Sequence, residues 1–163
     1  MDRKFDLIIA PYRTVQNLET DGEIDGLFRC IRSHLAVGGS CILNVFNPRY
    51  PDRETLVREW CNSEEALDWQ LIDDEQTITC HYRKPRLDGE KLILYPDLIY
   101  RVHKGSMLSE EAVLSLVMRS YFPADFENLI KNYGFEIVAR WGGYSGEAYG
   151  AGSELVIEFR QTA

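Results

Sequence analysis

The chain has 163 residues, 45% of them apolar and 12% aromatic, with a formal net charge of −8. A chain of this size and composition buries roughly 70% of its unfolded surface, which excludes a disordered polymer. The acidic balance argues against a nucleic-acid partner, whose phosphates require a basic face, and no apolar run reaches the roughly 18 residues of a membrane span.

Cysteines stand at Cys30, Cys41, Cys61 and Cys80, with no C-x-x-C pair for zinc or redox work. They read as reduced thiols of a cytoplasmic protein. The start, Met1-Asp2-Arg3-Lys4-Phe5, lacks the apolar core of a signal peptide and enters a strand almost at once.

Phe5 to Ala10 is a nearly continuous apolar run, the pattern of a strand buried on both faces of a parallel sheet. Pro11 stops it. Thr20-Asp21-Gly22-Glu23 reads as a capping box. Ile24, Leu27, Phe28, Ile31 and Leu35 follow at helical spacing, so a helix is predicted here, ended by Gly38-Gly39. Ser40 to Phe46 is a second apolar strand, closed by Asn47-Pro48. Strand, helix and strand joined by short links make a βαβ unit.

The middle differs. Asp52 to Trp60 reads as a short helix. From Leu67 to Tyr121 the pattern predicts antiparallel strands: Gln76 to Arg83, Leu92 to Val102, and Val113 to Phe122, the last open to a helical reading over Val113 to Met118. Asp88-Gly89 and Lys104-Gly105 mark turns. These spacings predict a three-stranded antiparallel layer, residues 49–121, inserted into one domain that spans 1–163. Pro123 then opens a helix at its favoured first position, Gly134 caps it, and Phe135 to Trp141 and Glu154 to Arg160 are further strands around a Gly142-Gly143-Tyr144-Ser145-Gly146 break. The fold class is α/β.

This order resembles the second half of class I S-adenosylmethionine-dependent methyltransferases, whose last strand runs against the other six. Phe5 through Tyr12 looks like their fourth strand and its following loop. Tyr12-Arg13-Thr14-Val15-Gln16-Asn17-Leu18 is similar to an aromatic-Arg-x-x-Gln-His-Leu segment of one small-molecule branch, with Asn17 in place of His. Leu35-Ala36-Val37-Gly38-Gly39-Ser40 through Val45-Phe46-Asn47-Pro48 resembles the approach to strand five. Met118 through Pro123 and Asn132-Tyr133-Gly134-Phe135 look like the return to the last helix and strand six. Gly142-Gly143-Tyr144 with Ser153 through Ile157 is similar to the closing hairpin.

The resemblance implies a partial Rossmann-like sheet, strands four to seven, and a small-molecule acceptor in the full-length enzyme. It also implies that the glycine-rich turn holding S-adenosylmethionine lies outside this chain. Gly150-Ala151-Gly152, the one G-x-G, precedes a strand instead of opening a helix, which is the wrong context for a cofactor turn. The chain alone is therefore expected to bind no S-adenosylmethionine and to be inactive. The alternative is a catalytically dead remnant acting as a dimerisation or binding module.

In open α/β sheets ligands sit at the carboxyl ends of the strands. Strand four brings Pro11 and Tyr12 there as candidate cofactor contacts. Arg13, Gln16, Asn47, Tyr121 and Tyr144 are candidate substrate contacts, with Tyr82 and Arg119 as further neighbours. No catalytic residue is assigned. His34, His81 and His103 lack metal-ligand spacing, and no metal is expected. The acidic runs Glu64-Glu65, Asp73-Asp74-Glu75 and Glu110-Glu111 read as solvated faces. In the family's order, 3-2-1-4-5-7-6, strand four is central. Here it becomes an apolar edge, and a two-fold homodimer covering that edge is expected.

Overall fold

A computed structural model describes residues 3–73 and 75–162. Met1 and Asp2 of the start, and Asp74 of the acidic run, lie outside the described residues. The chain divides into two compact units: one built from the segments Met1–Arg53 and Arg119–Ala163, the other from Glu54–Met118.

The first unit holds a four-stranded sheet in the order β1-β2-β9-β8. β1 (Phe5–Ala10) runs parallel to β2 (Leu35–Phe46). β9 (Glu154–Gln161) runs antiparallel to both β2 and β8 (Phe135–Trp141). This reproduces the 4-5-7-6 order and the reversed last strand that the resemblance implies. β9 is central, and its Leu155, Val156 and Ile157 are buried in succession, as a strand covered on both faces requires.

Helix α1 (Asp21–His34) makes the crossover between β1 and β2. Its start is the capping box read from the sequence. The Glu23 amide donates to Thr20 Oγ1 at 3.2 Å, and the Thr20 amide donates to Glu23 Oε2 at 2.8 Å. Ile24, Phe28 and Ile31 form its buried stripe. They pack with α3 (Pro123–Asn132) on one face of the sheet, in a core that includes Leu43, Val45, Phe126, Ile130 and Phe159. Each such side chain contributes about 1.5–3 kcal/mol by leaving water. Phe28 stacks on Tyr133 with ring centroids 4.2 Å apart.

The Gly38-Gly39 pair does not end α1. The helix stops at His34, and the glycines lie inside β2. Phe5 pairs with Leu35 but Leu7 pairs with Ser40, so β2 bulges between them. Gly38 takes a φ of 78° there. A Cβ on Gly39 would stand 3.0 Å from the Asp6 carbonyl oxygen and 3.1 Å from that of Phe5. The pair thus permits close approach of β1 and β2 rather than capping a helix. Gly134, with a φ of 73°, does follow the end of α3 as the sequence predicts.

The second unit contains most of α2 (Arg53–Glu59) and a sheet with the path β3-β4-β5-β6, each strand antiparallel to the next. The strands are β3 (Asn62–Ile72), β4 (Thr77–Asp88), β5 (Ile93–Lys104) and β6 (Met107–Ser115). The layer therefore has four long strands, not three. The added strand is β3, part of which falls in the Leu67 to Tyr121 stretch; its Leu67, Trp69, Leu71 and Ile72 all face solvent. The strand placed at Val113 to Phe122 lies earlier, because Gly105 at a φ of 58° turns the chain straight into Met107. The two-residue strand β7 (Met118–Arg119) marks the junction of the units. Among the described residues no helix is long and apolar enough to cross a membrane.

Candidate functional site

The parallel strands β1 and β2 end at the same sheet edge, and the reversed β9 begins there, since Phe46 pairs with Glu154. After Ala10 and Pro11 the backbone enters the left-handed region at two successive non-glycine residues, Tyr12 (φ 56°) and Arg13 (φ 61°). Such residues cost energy and persist where the surroundings over-determine them. Here the surroundings are two buried polar side chains.

Asn44 Oδ1 accepts the Arg13 amide at 3.2 Å. Asn44 Nδ2 donates to Glu154 Oε2 at 2.8 Å. The Arg13 Nε donates to Glu154 Oε1 at 2.9 Å and to Oε2 at 3.2 Å, and its Nη2 also engages Oε1. Asn44 and Glu154 are buried, while the Arg13 side chain is 44% exposed and its guanidinium lies 5.1 Å from the Phe46 ring centroid. The charges on Arg13 and Glu154 cancel within the cluster.

Two pockets open at this edge. One, of about 380 Å³, is largely apolar and lined by Ile9, Pro11, Ile42, Trp141 and Val156 with Asn44 and Tyr144 at its polar side. The other, of about 300 Å³, is mixed in character and lined by Tyr12, Arg13, Asn44, Tyr144 and Glu154. Asn44 and Tyr144 belong to both. These volumes lie at the lower end of the roughly 300–1,000 Å³ of small-molecule sites.

Of the residues singled out from the sequence, Pro11, Tyr12, Arg13 and Tyr144 come together at these pockets. Tyr82 lies in β4 of the other unit, Arg119 donates from Nη2 to the Glu19 carbonyl at 2.7 Å, and the rest are committed elsewhere in the same unit as the pockets. Gln16 is buried, donates from Nε2 to the Arg119 carbonyl at 2.8 Å and accepts the Phe46 amide at 2.6 Å. Asn47 Nδ2 donates to the carbonyls of Gly150 at 2.9 Å and Gly152 at 2.7 Å, tying down the closing hairpin. Tyr121 sits in the core with its ring 5.8 Å from that of Phe126, and burial pushes its phenol up to about 12. Asn44 and Glu154 were not singled out. Their signal was available: a lone amide inside the apolar run Cys41 to Phe46, and a carboxylate opening the apolar run Leu155 to Ile157. Buried polar groups in such runs need partners, and these two partner the same loop.

No protein-family model and no curated protein matches the sequence. Solved structures do match in shape. An S-adenosylmethionine-dependent methyltransferase from Clostridium acetobutylicum aligns with a TM-score of 0.73 at 16% identity, over 100% of this chain and 61% of that one. The CcbJ methyltransferase from Streptomyces caelestis aligns at 0.70 and 14% identity, over 99% and 63%. An amino pentose methyltransferase from Micromonospora echinaspora aligns at 0.68 and 15% identity, over 99% and 60%. This is a methyltransferase fold. The chain spans about three-fifths of the length of these methyltransferases.

α1 opens on the Thr20 capping box and α3 on Phe122 with Pro123, neither on a glycine turn. Gly143 and Gly146 line the apolar pocket but belong to the closing hairpin. Glu154, the buried carboxylate at the edge, already accepts from Arg13 and Asn44.

Proposed function

We propose that this chain forms the acceptor-side, C-terminal part of an S-adenosylmethionine-dependent methyltransferase for a small-molecule acceptor. The observation that carries this reading is the sheet order β1-β2-β9-β8 with β9 reversed, combined with two pockets at the carboxyl edge of β1 and β2. In this reading Pro11 and Tyr12 stand on the cofactor side, and Arg13 and Tyr144 face the acceptor. Gln16, Asn47 and Tyr121 shape the edge from within. The grip on S-adenosylmethionine comes from strands one to three of the fold, and this chain alone transfers no methyl group. Methyl transfer is an in-line displacement in which the enzyme chiefly supplies position, a task suited to a wall as rigidly braced as the Arg13 loop.

A second reading is favoured by the sheet edge. β1 ends the sheet on one side, and its Leu7 and Ile9 are 55% and 59% exposed. An apolar strand edge is a template for another chain. A catalytically dead module that pairs two copies through β1 would use it, and we place a homodimer contact there.

The DNA 5′ of the Met1 codon separates the two readings. An in-frame glycine-rich βα unit, followed by methyl transfer to a panel of small acceptors from the extended protein, supports the enzyme. An in-frame stop codon supports the module.

A further inference from the structure

We propose that the tip of the closing hairpin, Gly143 to Gly146, is a lid that swings Tyr144 over the apolar pocket, and that the pocket it closes takes a neutral, apolar ring ligand. The inference depends on neither reading above, because pocket and lid are both built from this chain's own residues.

The hairpin has a clamped base and a lightly held tip. At the base the Gly142 amide donates to the Glu147 carbonyl at 2.6 Å, and the Glu154 amide donates to the Gly142 carbonyl at 3.0 Å. Asn47 holds the carbonyls of Gly150 and Gly152, and the Tyr149 hydroxyl donates to the Pro123 carbonyl at 3.1 Å. Among the described residues the tip itself makes one hydrogen bond, from the Ser145 amide to Glu147 Oε2 at 3.1 Å. A segment bonded this lightly between fixed ends opens at small cost. Glycines flank it. Gly146 stands at a φ of 88°. The Glu147 carboxylate folds over Gly143, where a Cβ would lie 2.5 Å from Oε2. A glycine on each side of Tyr144-Ser145 supplies the backbone rotation that a hinge needs.

Tyr144 stands in the open position. Its side chain is 71% exposed, yet it lines the apolar pocket together with Gly143 and Gly146. The wall it would cover is Ile9, itself 59% exposed, with Ile42, Trp141 and Val156. Laying the Tyr144 ring on a filled pocket removes apolar surface of ring, wall and ligand from water. Closed with nothing beneath it, the ring would face a void and lose those contacts. Closure therefore favours the occupied pocket, and the lid shifts with binding.

The wall sets the chemistry of the occupant. No side chain lining this pocket is charged. Asn44, its amide, has both ends committed, Oδ1 to the Arg13 amide and Nδ2 to Glu154. A charged ligand would be desolvated here without a partner. A cavity of about 150 Å³ holds benzene, so the pocket's roughly 380 Å³ admits a fused pair of rings.

The test uses the whole chain labelled with nitrogen-15, with indole as the neutral probe and indole-3-carboxylate as the same rings bearing a charge. In the free chain, relaxation dispersion should show exchange at the amides of Gly143 to Gly146 and not along β2 or β9, and saturating indole should suppress it. Indole should shift the Ile9, Ile42 and Val156 amides and bind about tenfold more tightly than the carboxylate, whose charge the wall cannot pair. Tyr144→Ala, a change at an exposed side chain, should weaken indole binding about tenfold through the lost cover. Glu147→Ala frees the Ser145 amide that holds the lid open and should tighten indole binding about twofold or more. Tip amides without exchange, equal affinity for the two probes, or equal binding by Tyr144→Ala would overturn the inference. The parent chain with the two probes already decides it, whether or not either variant folds. Failure here is distinct from failure of the enzyme reading, which turns on methyl transfer by the extended protein and not on indole binding to this chain.

Discussion

Arg13 and Glu154, 141 positions apart in the chain, meet at 2.9 Å where the first strand of the sheet ends and its last begins. The contact joins the two ends of the sequence across the β2 strand that lies between them, and Asn44 of β2 bonds to both. Glu154→Gln keeps the shape and removes the charge. With the Arg13 side chain 44% exposed, screening reduces the loss to about 1–2 kcal/mol, below a fully buried pair. Urea denaturation followed by tryptophan fluorescence measures it.

Gln16 acts as a bracket between Phe46 and Arg119. Gln16→Leu fills the same space but leaves the Phe46 N–H and the Arg119 carbonyl without their partner. A loss of about 2–3 kcal/mol is expected, since each abandoned buried backbone group costs about 1–3 kcal/mol. Gln16→Glu should cost at least as much in the same unfolding assay at neutral pH, because a carboxylate cannot donate to the Arg119 carbonyl and its charge would be buried.

Asp97 gives the second unit an acid sensitivity. The Ser115 hydroxyl and then the Arg83 guanidinium hold its carboxyl below the usual carboxylate range. The hydrogen bonds are 2.7 Å from Ser115 and 2.8 Å from Arg83. A folded-state value below the unfolded one stabilises the fold at pH above the unfolded value, about 4, and that stability drains away as pH falls through the folded value. Urea midpoints at pH 7 and pH 3 should differ less in Asp97→Asn than in the parent chain.

Self-association through β1 is sensitive to charge at Leu7, which is 55% exposed at the open edge. Leu7→Lys places a charge where a second strand would pair. Sedimentation velocity should show the parent chain shifting to dimer with concentration and Leu7→Lys remaining monomeric at the same concentrations. A parent chain that stays monomeric throughout contradicts the dimer.

Much of the first unit was legible because its signals are local. The Thr20-Glu23 capping box, Pro123 at the start of α3 and Gly134 at its end each act within one turn of chain. The Gly38-Gly39 bulge was not, because the reason for those glycines is the approach of β1, about thirty residues away, and not the helix before them. β3 does alternate, Leu67-Asp68-Trp69-Gln70-Leu71, but its apolar side chains are exposed, so the alternation does not mark a buried face. At the pockets, strand ends announced Pro11, Tyr12 and Arg13; Asn44 and Glu154 stand out as polar residues in apolar runs, but the three-strand register that pairs them with Arg13 is carried by no local pattern. Gln16, Asn47 and Tyr121 are polar or amphipathic residues near the edge whose polar atoms or rings turn inward, a direction that spacing alone does not reveal.

The most direct measurement is calorimetric titration of S-adenosylmethionine into the 163-residue chain. If the adenosyl cradle belongs to strands this chain does not supply, no saturable heat appears. Saturable binding at micromolar concentration, one cofactor per chain, would contradict the account.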